Sequence, residues 1–135
     1  MNYSESIQYL RRLGSEVHTA KFSLRNIERI CHAFGHPERC FPSVVIAGTN
    51  GKGSTAAFLY SILLQAGIPA GCYTSPHLIC LRERIRYGRD CISEKDFADS
   101  LSAVHARVAA LLVKRRWMSA PPNFEVLTAA ALYYF

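Results

Sequence analysis

Val44-Val45-Ile46-Ala47-Gly48-Thr49-Asn50-Gly51-Lys52-Gly53-Ser54-Thr55 is the stretch that decides the fold. Its first four residues form an apolar run that is typical of a buried strand, and the apolar segment from Ala56 to Ala66 after it is typical of a helix. A glycine-rich turn between a strand and a helix points several backbone N–H groups and the positive end of the helix dipole at one place. The stretch therefore predicts a phosphate-binding loop.

The loop departs in two places from the strict pattern G-x-x-x-x-G-K-[ST]. Ile46 occupies the position of the first glycine, and Gly53 occupies the position whose hydroxyl would bind Mg²⁺. Lys52 supplies the charge for the β- and γ-phosphates of a nucleotide, so we interpret it as the candidate catalytic residue. A plain structural turn would need fewer glycines and no lysine. The predicted nucleotide contacts are Gly48, Thr49, Asn50, Gly51, Lys52, Gly53, Ser54 and Thr55.

A second apolar run, from Ile68 to Thr74, predicts the next strand. The order strand, loop, helix, strand forms a right-handed crossover and favours an α/β fold with a mostly parallel sheet and flanking helices. Ligands of such sheets bind beyond the carboxyl ends of the strands, so Thr74-Ser75-Pro76-His77 is expected on the same edge as the loop. Because Gly53 has no hydroxyl, the metal oxygen would come from Ser54 or, better placed, Ser75. Ser75 could otherwise bond only local backbone.

The rest of the chain predicts four more helices and one hairpin. The uncapped apolar stretch from Thr128 to Phe135 suggests that the chain stops inside a helix and is truncated. The predicted elements are a helix from residue 4 to 13, a helix capped by Ser23 that ends near Phe34, a hairpin around Gly88, a long helix after Ser93 that ends near Lys114-Arg115-Arg116, and a last helix capped by Asn123.

Composition limits the function classes. The 135 residues suffice for one domain, and the net charge of +6 is spread along the chain without a long basic block, so we expect no nucleic-acid partner. The five cysteines form no C-x-x-C pair, which argues against a zinc site and against a disulfide framework. The sequence has neither a leader pattern nor an apolar run of about 18 residues. We therefore expect a cytoplasmic protein with no membrane partner.

Several motifs together resemble the folylpolyglutamate synthase and dihydrofolate synthase family of the Mur ligase superfamily. Their order and spacing extend the resemblance over nearly the whole chain. The motifs are Ala47 to Thr55, Tyr73-Thr74-Ser75-Pro76-His77-Leu78, Arg82-Glu83-Arg84-Ile85, Ile92-Ser93 and Phe124-Glu125-Val126-Leu127-Thr128-Ala129. Upstream of these, Tyr9-Leu10, Leu13-Gly14, Lys21-Phe22, Leu24 and Phe41-Pro42 also resemble the family.

The resemblance implies an ATP-dependent ligase that adds L-glutamate to folates, to dihydropteroate or to both through an acyl phosphate. It implies that the loop around Lys52 holds the ATP phosphates, that Ser75 binds Mg²⁺, and that Pro76, His77 and Phe124 contact the substrate. It further implies that residues 1–135 are the N-terminal part of an ATP-binding domain, inactive alone, whose C-terminal glutamate ligase domain is absent. We expect the enzyme to be a monomer.

Two other functions stay open: a nucleotide-binding module that performs no ligation, and a Mur-type ligase for another amino-acid substrate. His77 could be a base, a ligand or a structural residue. Glu125 is expected in the first turn of a helix, where the dipole favours a carboxylate whether or not it has a function. Its role is left undecided.

Overall fold

The computed structural model describes residues 1–14, 24–114 and 121–135. The described helices are α1 (Tyr3–Arg12), α2 (Arg25–Ala33), α3 (Lys52–Gln65), α4 (Glu94–Lys114) and α5 (Asn123–Tyr134), and the strands are β1 (Gly71–Tyr73), β2 (Ile85–Tyr87) and β3 (Asp90–Cys91). The chain divides into two compact units, which we call the helical unit (Met1–Phe41 and Glu94–Tyr134) and the loop-and-sheet unit (Pro42–Ser93 with Phe135).

The helical unit consists of α1, α2, α4 and α5 around an apolar core. α1 begins with a capping box, because the Asn2 side chain accepts from the Glu5 N–H and the Glu5 carboxylate accepts from the Asn2 N–H. α5 contacts the other three helices, which explains why its middle is apolar on every side. The buried apolar residues of this unit include Leu10, Ile30, Phe97, Leu101, Val104, Val108, Val126, Leu127, Ala129, Ala130 and Ala131.

The loop-and-sheet unit contains α3 and an antiparallel sheet in the order β1-β2-β3. Cys72 of β1 lies opposite Arg86 of β2, and the turn between β2 and β3 contains Gly88 at a φ of 64°. The Tyr60 hydroxyl of α3 donates to the Gly88 carbonyl at 2.6 Å, and the Arg86 guanidinium lies 5.5 Å from the centre of the Tyr60 ring. These contacts hold α3 against the hairpin.

Most of the elements predicted from the sequence are confirmed. The first helix, the helix before Phe34, the hairpin around Gly88, the long helix after Ser93 and the last helix all form close to the predicted positions. The last of these begins at Asn123, the residue that we predicted as its cap. Ser23, Arg115 and Arg116, which were expected at two helix ends, lie outside the described residues.

The predicted strand from Val44 to Ala47 is not formed, and the predicted parallel pairing is wrong for the described residues. Val44 and Val45 are 72% and 89% exposed, and the sheet of the described chain contains only β1, β2 and β3, all antiparallel. An apolar run becomes a strand only when a neighbouring strand satisfies its N–H and C=O groups. No segment in the described ranges provides such a neighbour for Val44 to Ala47.

α3 differs from its prediction in where it begins and in how far it is buried. It starts at Lys52 rather than at Ala56, so the end of the glycine-rich stretch forms its first turn. α3 contacts β1 as expected for a helix packed on a sheet, and Tyr60 is buried, but Phe58 and Ile62 remain 71% and 64% exposed. The sheet of the loop-and-sheet unit therefore covers only part of this apolar helix.

Candidate functional site

The glycine-rich loop leads directly into the N-terminus of α3. Gly51 precedes the helix in the left-handed conformation, at a φ of 76°, which a residue with a side chain rarely adopts. The first N–H groups of a helix have no acceptor within the helix, and no described side chain caps them here. Together with the helix dipole, these free donors favour a bound anion at this end of α3.

Lys52 lies against the backbone of the same loop. Its ammonium group donates to the Gly48 carbonyl at 2.5 Å and to the Thr49 carbonyl at 2.9 Å. Both acceptors are neutral and exposed, so a phosphate oxygen would be a stronger partner for the ammonium group. The loop thus holds a positive charge beside uncapped helix donors, which is an arrangement suited to a polyphosphate.

The second predicted segment follows β1. The Thr74 N–H donates to the Arg84 carbonyl at 2.9 Å, which continues the pairing of β1 with the chain before β2. Ser75 and Pro76 are exposed, and the peptide bond between them is cis. His77 is half-buried beside Arg84. The segment therefore presents the Ser75 hydroxyl to solvent at the end of a strand.

The contact between Arg84 and His77 fixes the tautomer of the imidazole ring. The Arg84 Nε–H donates to His77 Nδ1 at 3.0 Å. A guanidinium has no acceptor, so Nδ1 must carry the lone pair and the ring proton must be on Nε2. His77 is thereby prepared to donate a hydrogen bond through Nε2.

Glu83 binds three consecutive backbone donors, and our sequence analysis gave it no role. Its carboxylate accepts from the N–H groups of Leu78 at 2.8 Å, Ile79 at 2.9 Å and Cys80 at 2.7 Å. The hydrogen bonds from Leu78 and Cys80 lower the pKa of Glu83. The one local signal was the position of Glu83, which closes a capping box at the short 3₁₀ helix Leu81–Arg84.

Phe124 and Glu125 belong to the helical unit, in the first turn of α5. Phe124 is 37% exposed. Burial raises the pKa of Glu125, although a hydrogen bond with Asn26 acts in the opposite direction. One carboxylate oxygen of Glu125, Oε2, is buried and has no hydrogen-bond partner among the described residues. The neutral carboxylic acid is therefore favoured at this position more than at an exposed one.

The described residues fit a Mg²⁺ ion that is bound mainly by phosphate and water. Within the described ranges no three His, Cys, Asp or Glu side chains come together as a metal site. Mg²⁺ bound to nucleotide phosphates usually retains waters and takes only one or two protein oxygens. The exposed Ser75 hydroxyl can supply one such oxygen, whereas Gly53 has no side-chain oxygen. None of the described helices is long and apolar enough to cross a bilayer.

Comparison with known proteins places these residues in a family. No family model matches the chain. The chain is 36% identical to the dihydrofolate synthase/folylpolyglutamate synthase of Bacillus subtilis over 115 residues, which are 85% of this chain and 26% of that protein. It is 42% identical to the protein of the same name from Buchnera aphidicola over 137 residues, which are 99% of this chain and 30% of that protein.

Solved structures give the same result. A complex described as FPGS-AMPPCP-folate matches the whole chain with a TM-score of 0.92 and 31% identity, over 32% of its own length. The folylpolyglutamate synthase of Thermotoga maritima matches 98% of the chain with a TM-score of 0.84 and 36% identity, over 30% of its own length. The predicted α/β fold of the Mur ligase type is therefore confirmed.

The chain spans between a quarter and a third of the length of these relatives. Within that span, the likeness in sequence and the likeness in fold cover nearly every residue of this chain. The chain belongs to the folylpolyglutamate synthase and dihydrofolate synthase family.

Proposed function

We propose that the full-length protein is an ATP-dependent ligase that adds L-glutamate to a folate, to dihydropteroate or to both. The observation that carries this proposal is the uncapped N-terminus of α3 with the Lys52 ammonium held beside it. Membership of the family supports the choice of substrates, since a relative of similar fold is described as a complex with AMPPCP and folate. Residues 1–135 would then form the N-terminal part of the ATP-binding domain, and a glutamate ligase domain would lie elsewhere in the protein.

The first chemical step is phosphoryl transfer to the acceptor carboxylate. A carboxylate oxygen of the folate or dihydropteroate attacks the γ-phosphorus of ATP, and the bond from that phosphorus to ADP breaks. Gly48 to Thr55 bind the phosphates through backbone N–H groups, and Lys52 neutralises charge that spreads over the transferred group. The loop contributes position and charge rather than a nucleophile.

The second step forms the amide bond. The amine of glutamate attacks the acyl carbon and loses a proton, and inorganic phosphate leaves. Pro76, His77 and Phe124 are proposed to contact the pterin-bearing substrate, and the His77 Nε2–H is available as a donor to an oxygen acceptor. Ser75 is proposed as a protein ligand of Mg²⁺, which when bound supplies charge neutralisation between the phosphates.

The proposal is tested with the full-length protein, ATP, Mg²⁺ and L-glutamate, together with either a reduced folate or dihydropteroate. We expect a glutamyl amide, with ADP and phosphate released in equal amounts. Release of AMP and pyrophosphate would contradict the acyl-phosphate route. Tight binding of ATP without any product would favour a nucleotide-binding module, and product formed only with a different amino acid would favour another Mur-type ligase.

A further inference from the structure

We propose that Glu83 and Arg84 are positioning residues that hold the Ser75–Cys80 loop in the shape required to bind metal and substrate. This inference rests on the proposed function of Ser75 and His77. Neither residue needs to touch a ligand. Both act through the loop. The Glu83 carboxylate binds backbone N–H groups of the loop, and the Arg84 guanidinium binds the side chain of His77.

The two residues hold the loop from both of its ends. At the start, the Arg84 carbonyl accepts from the Thr74 N–H and the Arg84 Nε–H donates to His77. At the end, the Glu83 carboxylate accepts from Leu78, Ile79 and Cys80 in succession. One dipeptide therefore makes four hydrogen bonds to the loop that carries Ser75 and His77, and a fifth to Thr74 directly before that loop.

Packing of apolar side chains does little to hold the centre of this loop. Leu78 and Ile79 are 93% and 91% exposed, so they bury almost no apolar surface in this structure. Their backbone N–H groups are nevertheless bound to Glu83. A charged acceptor with several backbone donors is the strongest local constraint available to such a segment. The shape of the loop therefore depends on the Glu83 carboxylate.

The guanidinium group of Arg84 makes a different contribution, because it acts on a single side chain of the loop, that of His77. By donating to Nδ1 it keeps the proton of neutral His77 on Nε2, and it limits rotation of the ring. An Nε2–H donor suits an acceptor oxygen of a carboxylate or of a phosphoryl group. Loss of Arg84 would allow both tautomers and both ring orientations.

The test of Glu83 uses Glu83→Gln in the full-length enzyme, with Glu28→Gln as a matched control at an exposed position of α2. The amide has one acceptor oxygen instead of two, so at least one loop N–H loses its partner. We expect faster hydrogen exchange at the Leu78, Ile79 and Cys80 amides. We also expect an increase of about tenfold in KM for the folate or dihydropteroate substrate, with less than about twofold change in KM for ATP. Glu83→Asp should recover part of the loss.

Unchanged exchange at these amides would overturn the proposal, and so would faster exchange without any change in KM for the substrate. A lower melting temperature together with a similar increase in KM for both the substrate and ATP would indicate a purely structural residue and would also overturn it. These outcomes differ from a failure of the proposed function, because amide exchange is measured without catalysis.

The test of Arg84 uses Arg84→Met, which keeps the length of the side chain and removes its donors. We expect the ¹⁵N chemical shifts of the His77 ring to move from those of a single Nε2–H tautomer to those of a mixture. Arg84→Lys should give an intermediate spectrum. An unchanged spectrum in Arg84→Met would overturn the positioning role of Arg84, whatever reaction the enzyme catalyses.

Discussion

The two candidate loops of the loop-and-sheet unit are held in opposite ways. The Gly48–Thr55 loop is closed by a contact within itself, from the Lys52 ammonium to the carbonyls of Gly48 and Thr49. The Ser75–Cys80 loop is held from outside, by Glu83 and Arg84. In the first loop, the Lys52 ammonium can leave the Gly48 and Thr49 carbonyls for a phosphate at little cost in free energy, because the ammonium group and the carbonyls all remain within the same loop. The second loop is organised before any ligand arrives, which reduces the entropy lost on binding.

The largest effect is expected from Lys52→Ala in the full-length enzyme. We expect a loss of about a thousandfold in glutamate addition, because the transferred phosphoryl group loses its fixed positive charge. The melting temperature should stay close to that of the unchanged protein, since the Lys52 side chain is exposed and, among the described residues, bonds to carbonyls of its own loop. The rate of product formation and a thermal melt measure the two effects.

Lys95→Ala is the matched control for this change. Lys95 is also an exposed lysine in the first part of a helix, but its ammonium pairs with Asp99 at 2.6 Å on the surface of α4. Activity within about twofold of the unchanged enzyme is expected for this variant, because an exposed ion pair contributes little. Normal turnover by Lys52→Ala would contradict the assignment of phosphate binding to the Gly48–Thr55 loop.

A smaller effect is expected from Ser75→Ala. We predict a loss of about tenfold to a hundredfold at low Mg²⁺, because the second loop then lacks the oxygen that we assign to the metal. High Mg²⁺ should recover part of the activity. The measurement is a Mg²⁺ titration of the rate, with Ser61→Ala in the exposed part of α3 as the control. If the titration curves of Ser75→Ala and Ser61→Ala coincide, Ser75 is not a metal ligand.

The pH dependence should differ between the loops. The pKa of Glu83 is lowered by its backbone hydrogen bonds, so its stabilising contribution is present above the unfolded value of 4.5 and is lost as the pH falls through the lower folded value. We expect the amide resonances of Leu78, Ile79 and Cys80 to shift and broaden in that range. The Gly48–Thr55 loop contains no carboxylate and should respond less. If the amide resonances of Thr49 and Ile79 shifted and broadened equally as the pH falls, the proposed difference between the two loops would be contradicted.

The smallest effect is expected from Glu125→Gln, which lies in the helical unit and outside both loops. Burial raises the pKa of Glu125, so the folded state binds the proton more tightly and the protein loses stability as the pH rises above 4.5. Removing the charge should raise the melting temperature at neutral pH by about one to two degrees, with no gain at acidic pH. Thermal melts at both pH values check this. A lower melting temperature at neutral pH would show that the carboxylate stabilises the fold.

Local sequence signals sufficed for the helices and for the hairpin. Helical periodicity predicts α1 and α4 because their apolar faces repeat within each element, and Gly88 predicts its turn because a positive φ favours glycine. The start of α3 at Lys52 was missed, because glycine is a poor helix former and the stretch looks like a loop throughout. Glycine is an accepted N-cap residue, so Gly51 directly before Lys52 is the signal that could have located this helix end.

The remaining features depend on contacts that are distant in sequence or that involve backbone alone. The strand predicted from Val44 to Ala47 needs a neighbour, and an apolar run does not indicate which segment provides one. The role of Glu83 could not be predicted, since its partners are backbone N–H groups that every non-proline residue possesses. The functional roles of Lys52, Ser75 and His77 stay predictions, because they rest on residue type and on position in the chain.

The most direct test of the account follows oxygen through the reaction of the full-length enzyme. The substrate carboxylate is labelled with ¹⁸O, and the inorganic phosphate released during glutamate addition is analysed by mass spectrometry. An acyl phosphate keeps one carboxylate oxygen on phosphorus when the amide forms, so we predict one ¹⁸O in each phosphate. Phosphate without ¹⁸O, formed together with the glutamyl product, would contradict the proposed mechanism.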